Sequence, residues 1–128
     1  MLPGYVIAAG SAAGEGVVLT RNASGDDTDE WPLSVPPSWA STAQSDGWFR
    51  LQTNYDHWGP APKSDDRRDP GIKAMRTLER RPTFEGLWEV LGTHPVYNPS
   101  TIHTDLVFPA TGDYRSYVRN YPRTASAR

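Results

Sequence analysis

The chain contains no cysteine. Disulfides, thiolate metal sites and a cysteine nucleophile within these 128 residues are therefore excluded. No apolar run approaches the length needed to span a bilayer, and the opening "MLPGYVIAAGSAAGEG" lacks the basic flank of a signal peptide. Excess charge of either sign is also missing: the formal net charge is −2 and the arginines are scattered, so there is no electrostatic case for nucleic acid as a partner. What the chain has in quantity are turn formers, 12 Pro and 11 Gly, which break it into short elements.

The length fits one domain. "GYVIAAG" (4–10) and "GEGVVLTR" (14–21) read as two strands whose contiguous Val and Ile point to cover on both faces. The acidic, proline-broken stretch 22–47 reads as a long loop. From Trp48 the side chains alternate, which predicts a strand ending near Asn54. Asp69 before Pro70 predicts an N-cap opening a helix over 70–81, and Thr83 opens a second helix in which Phe84, Leu87, Trp88 and Leu91 share a face until Gly92 and Pro95 end it. "STIHTDLVF" (100–108) and "YRSYVRN" (114–120) predict a closing hairpin, with 121–128 as a frayed end. Strands and helices segregated along the chain predict an α+β fold of antiparallel strands and two helices.

Chemistry is sparse on the residues alone. His57, His94 and His103 show no metal-ligand spacing, so no metal or cofactor is expected. No serine stands in a nucleophile-elbow context, and the glycine-rich "GSAAGEG" lacks the Lys and helix of a phosphate loop. Asn22-Ala23-Ser24 is a glycosylation sequon, whereas Asn98-Pro99-Ser100 is blocked by its proline. The densest run is "WFRLQTNYDHWGPAPKSDDRRDP" (48–70). Within it, Asn54 has two readings: a turn cap before Asp56, which is the commoner outcome, or a neutral amide donor aimed at a developing oxyanion. "DDRR" likewise reads first as a charged loop leading into a helix.

Read together, "GEGVVLTR", "EWPL", "WFRLQTNYDHWGPAPKSDDRR", "HPVYNPSTIHT" and "GDYRSYVRN" resemble the C-terminal part of the N-acylethanolamine-hydrolysing acid amidase and acid ceramidase family, the amidase branch more closely. The resemblance implies an N-terminal-nucleophile hydrolase with a four-layer αββα sandwich, of which 1–128 would be part of a single domain in the β-subunit. It implies a fatty-acid amide substrate, attacked by a Cys whose own α-amino group is the base. It implies Asn54 as a donor in the oxyanion hole and Arg67 as an arginine near the nucleophile; His57 is expected to matter much less, because the base is not an imidazole. The parent enzyme is implied to be lysosomal, with peripheral membrane contact confined to that parent. The Cys and the α-subunit are not in this sequence, so the expected partner is the missing nucleophile-bearing part, and the chain is expected to be inactive by itself. The alternative is a non-catalytic lipid-amide-binding or regulatory protein derived from such an enzyme.

Overall fold

A computed structural model describes residues 4–9, 14–21, 24, 28–33 and 46–121. The glycine-rich turn at 10–13, the sequon asparagine Asn22, residues 34–45 and the tail 122–128 lie outside the described residues. The fold is α+β, with antiparallel strands and two helices. The chain divides into two compact units, Met1–Gly59 with Pro109–Thr111, and Pro60–Phe108 with Gly112–Arg128.

The first unit is built on a three-stranded antiparallel sheet in the order β1 (Gly4–Ala9), β2 (Gly16–Arg21), β3 (Thr28–Pro32). The β-branched run of β2 sets its centre, with Val6 opposite Leu19 and Leu19 opposite Glu30. Val18 and Thr20 are buried while Val17 and Leu19, on the other face, are half-buried, so β2 is covered on both sides.

Two expectations fail in this unit. The stretch read as one long loop contains β3, whose Thr28, Glu30 and Pro32 are exposed while Asp29 and Trp31 turn inward. Acidic residues and a proline are poor strand formers, but among the described residues β3 pairs only with β2, and an edge strand tolerates both. The strand expected from Trp48 to Asn54 is absent: Asp46–Trp48 make one turn of 3-10 helix and 49–53 are irregular. Side chains there bond to neighbouring carbonyls that a ladder would otherwise use. The Arg50 guanidinium donates to the Phe49 carbonyl (2.9 Å), and the Gln52 amide donates to the carbonyls of Thr53 (2.7 Å) and Tyr55 (3.0 Å).

In the second unit α1 spans Arg68–Arg76 and α2 spans Phe84–Gly92. The helix expected over 70–81 begins earlier and ends sooner. Asp66, not Asp69, accepts from the first-turn amide of Asp69 (3.0 Å), leaving Asp69 as an acid in the first turn, where the helix dipole favours it. At the other end the Thr77 and Leu78 amides reach back only three residues, and Glu79 and Arg80 take left-handed φ values of 47° and 64°. Pro82 disfavours helical backbone at Arg81, which closes off extension. α2 starts where expected, the Thr83 hydroxyl accepting from the Gly86 amide at 3.0 Å.

β4 (His103–Phe108) and β5 (Asp113–Val118) form the predicted hairpin, in register from His103 opposite Val118 to Phe108 opposite Asp113. It begins later than Ser100 because Asn98 makes a side-chain turn, its Oδ1 accepting from the Ser100 amide (2.9 Å) and its carbonyl from Thr101 (2.9 Å). Gly112, at φ 75°, closes the strand connection through its amide to the Phe108 carbonyl (2.9 Å). α2 packs on β4: Leu106 and Val90 are each 4% exposed, and Phe84 meets Phe108 with ring centroids 4.3 Å apart. Arg119 lies between the rings of Trp88 (3.9 Å) and Tyr97 (4.2 Å), holding the chain after β5.

Candidate functional site

Asn54 sits at a bend rather than at a strand end, with its side chain exposed. The backbone on both sides of it is fixed, because the single Gln52 amide donates to the carbonyls of Thr53 and Tyr55. An amide side chain carried on such a bend can present its NH2 as a neutral donor without reorganising first.

Three residues further on, His57 joins the bend to the sheet. Its Nε2 lies 2.7 Å from Asp29 Oδ2 on β3, and its ring stacks on Trp31 with centroids 4.1 Å apart and planes 6° from parallel. Trp58 meets the imidazole edge-on at 4.9 Å, and the Arg50 guanidinium lies 5.0 Å from the Trp31 ring centre. Asp29 and Trp31 went unnoticed in the sequence because they fall in the stretch read as loop. No sequence signal marks them: Thr28, Asp29 and Glu30 are all polar, and the alternation of this strand shows only in its burial.

Arg67 belongs to the second unit. Its guanidinium pairs with Asp65: NH2 donates to Oδ2 at 3.0 Å, and Nε lies 3.0 Å from Oδ1 as an ion-pair contact without hydrogen-bond geometry. The pair lines a recess of about 560 Å³ together with Lys63, Asp66, Asn98 and Ser100. The recess mixes both charges with neutral hydrogen-bonding groups, which suits a polar ligand group better than an acyl chain. Among the described residues no three His, Asp or Glu side chains gather as a metal-ligand set. No helix of the described residues is long and apolar enough to cross a membrane.

No protein-family model matches the chain. Similar proteins are nevertheless found along nearly all of it. The N-acylethanolamine-hydrolyzing acid amidase of Cavia porcellus is 46% identical over 118 residues, and that of Rattus norvegicus 43% over the same length, each match covering 91% of this chain. The acid ceramidase of Homo sapiens is 34% identical over 123 residues, 95% of the chain. The chain spans less than a third of these relatives, 31%, 30% and 29% of their respective lengths. Over the stretch they share, its homologues are thus the N-acylethanolamine-hydrolysing acid amidases and the acid ceramidases.

Proposed function

We propose that this chain forms one wall of the active site of a fatty-acid amide hydrolase of this family, with Asn54 as the oxyanion donor. The observation that carries the reading is the pinned bend: an exposed amide side chain whose flanking carbonyls are both held by Gln52. The higher identity to the amidases than to the ceramidases favours an N-acylethanolamine over a ceramide as substrate.

The chain has no cysteine, so the thiol comes from a segment outside these 128 residues. In the reaction the sulfur of that cysteine adds to the amide carbonyl carbon. Charge then develops on the carbonyl oxygen, where the Asn54 NH2 donates a hydrogen bond. The α-amino group of the same cysteine takes the thiol proton and passes it to the departing nitrogen. The C–N bond breaks, the amine leaves, and water cleaves the thioester to a fatty acid and the free thiol. Arg67, fixed by Asp65, is the proposed cation near that thiol. The fold proposed for the assembled enzyme is the four-layer αββα sandwich, a reading supported by the antiparallel strands, the two-sided cover of β2 and the two helices. A lysosomal location is proposed on the same family grounds.

The test is turnover of an N-acylethanolamine by the enzyme that combines this chain with its cysteine-bearing part. Asn54→Ala and Asn54→Asp should each lower kcat by about two to three orders of magnitude with KM little changed, the usual loss for one oxyanion donor. Near-normal kcat in both variants makes Asn54 a turn residue and removes it from the mechanism.

A further inference from the structure

We propose that Asp29 and His57 are positioning residues for Asn54, a clamp that ties the irregular segment 49–59 to the edge strand of the sheet; this rests on the reading of Asn54 as the oxyanion donor. The need for a clamp follows from the local structure. Residues 49–53 form neither helix nor strand, so no regular hydrogen-bond ladder fixes where the bend at Asn54 stands. Gln52 fixes the shape of the bend through bonds within the segment, to Thr53 and Tyr55, but these do not attach it to β3. His57 does.

The contact is specific in distance, direction and plane. A carboxylate only accepts, so the 2.7 Å approach places the imidazole proton on Nε2, pointing at Asp29 Oδ2. The near-parallel stack on Trp31, two residues along β3 from Asp29, fixes the ring plane. Trp58 closes on the ring from its edge, and the His57 side chain is 19% exposed, which limits competition from water. The same strand therefore supplies the acceptor and the stacking surface, and the alternation of β3 turns both inward. With its Nε2 proton committed to Asp29, His57 orients the chain three residues after Asn54 rather than moving protons in the reaction. This gives a use to a histidine that an α-amino base leaves without one.

The experiment follows the Asn54 side-chain NH2 resonances of the full 128-residue chain by heteronuclear NMR, in Asp29→Ala, His57→Ala, their double variant, and the milder His57→Gln and Asp29→Asn. The two alanine variants should move the Asn54 resonances toward their random-coil positions. The double variant should move them no further than either single one, because both singles open the same clamp. His57→Gln, which keeps a donor for Asp29, should restore part of the shift, while the methyl signals of Leu106 in the second unit stay in place and report an intact fold. If an alanine variant fails to fold, His57→Gln and Asp29→Asn carry the comparison, with smaller displacements of the same sign. Asn54 resonances unmoved in every folded variant overturn the proposal. The readout needs no turnover, so its outcome is separate from whether the assembled enzyme hydrolyses amides. In that enzyme, the same substitutions should lower kcat by about ten- to a hundredfold, the scale for a displaced catalytic group, with KM held.

Discussion

In the second unit the residues that start, stop and pair each element are near neighbours in sequence: Thr83 caps α2 through Gly86, and Asp66 accepts from the first-turn amide of Asp69 at the start of α1, each three residues apart. In the first unit the contact proposed to orient the candidate site joins residues 28 positions apart, Asp29 and His57. The difference explains which region a sequence reader sees. Local caps, helix faces and a hairpin turn are written in short windows, whereas the fixing of an irregular segment by a distant strand is not. The proposed donor, Asn54, stands in that irregular segment, as is common for loops held by a rigid scaffold.

Substitutions can sharpen the contrast. The largest effect is expected from Leu106→Ala, which empties the buried face between α2 and β4 and should lower stability by about 2–4 kcal/mol in denaturant unfolding. Next comes Trp31→Leu, which removes the stack beneath His57 at a cost of about 1 kcal/mol. Its diagnostic feature is distance: the His57 ring resonances should move although the altered residue lies on another element. Thr83→Ala should cost a similar amount, about 1 kcal/mol, but its effect should be confined to the first turn of α2 and be recovered by Thr83→Ser. A Thr83 variant that disturbed the whole second unit, or a Trp31 variant that left His57 unmoved, would break the comparison.

The smallest effect concerns acid. The Asp105 carboxyl on β4 is held below the usual carboxylate value, first by the hydrogen bond from Ser116; desolvation opposes this, and the Tyr114 hydrogen bond and the nearby His103 add smaller lowering effects. A carboxyl depressed in the folded state contributes stability above its unfolded value and loses it as the pH falls through the folded one. Ser116→Ala should therefore raise the Asp105 titration midpoint toward the ordinary value, as followed by NMR titration of its carboxyl carbon, and should lower stability slightly at neutral pH while leaving it unchanged in strong acid.

Much of the fold was legible. The composition and element order pointed to α+β, and Thr83, the α2 face and the hairpin turn were each found from signals spanning a few residues. Two misplacements had separate causes. β3 was hidden because Asp29, Glu30 and Pro32 are weak strand formers that only an edge position accommodates. The alternation from Trp48 imitated a strand while the side chains of Arg50 and Gln52 occupied backbone carbonyls. For α1, the sequence pointed to Asp69 beside Pro70 as the cap, whereas Asp69 lies inside the first turn and its own amide is bonded by Asp66. At the site, Asn54 and Arg67 come from the family resemblance; the pairing of Asp65 with Arg67 and the tie from His57 to Asp29 are visible only in the folded chain.

The claim that this chain contributes a donor but no nucleophile is tested most directly by offering the folded 128-residue chain an N-acylethanolamine and weighing the protein by mass spectrometry during the reaction. The account predicts no amine release and no acyl group on this chain, with the acyl adduct appearing on the cysteine-bearing part when the two are combined. A covalent acyl group on a Ser or Thr of this chain, with release of the amine, would contradict it.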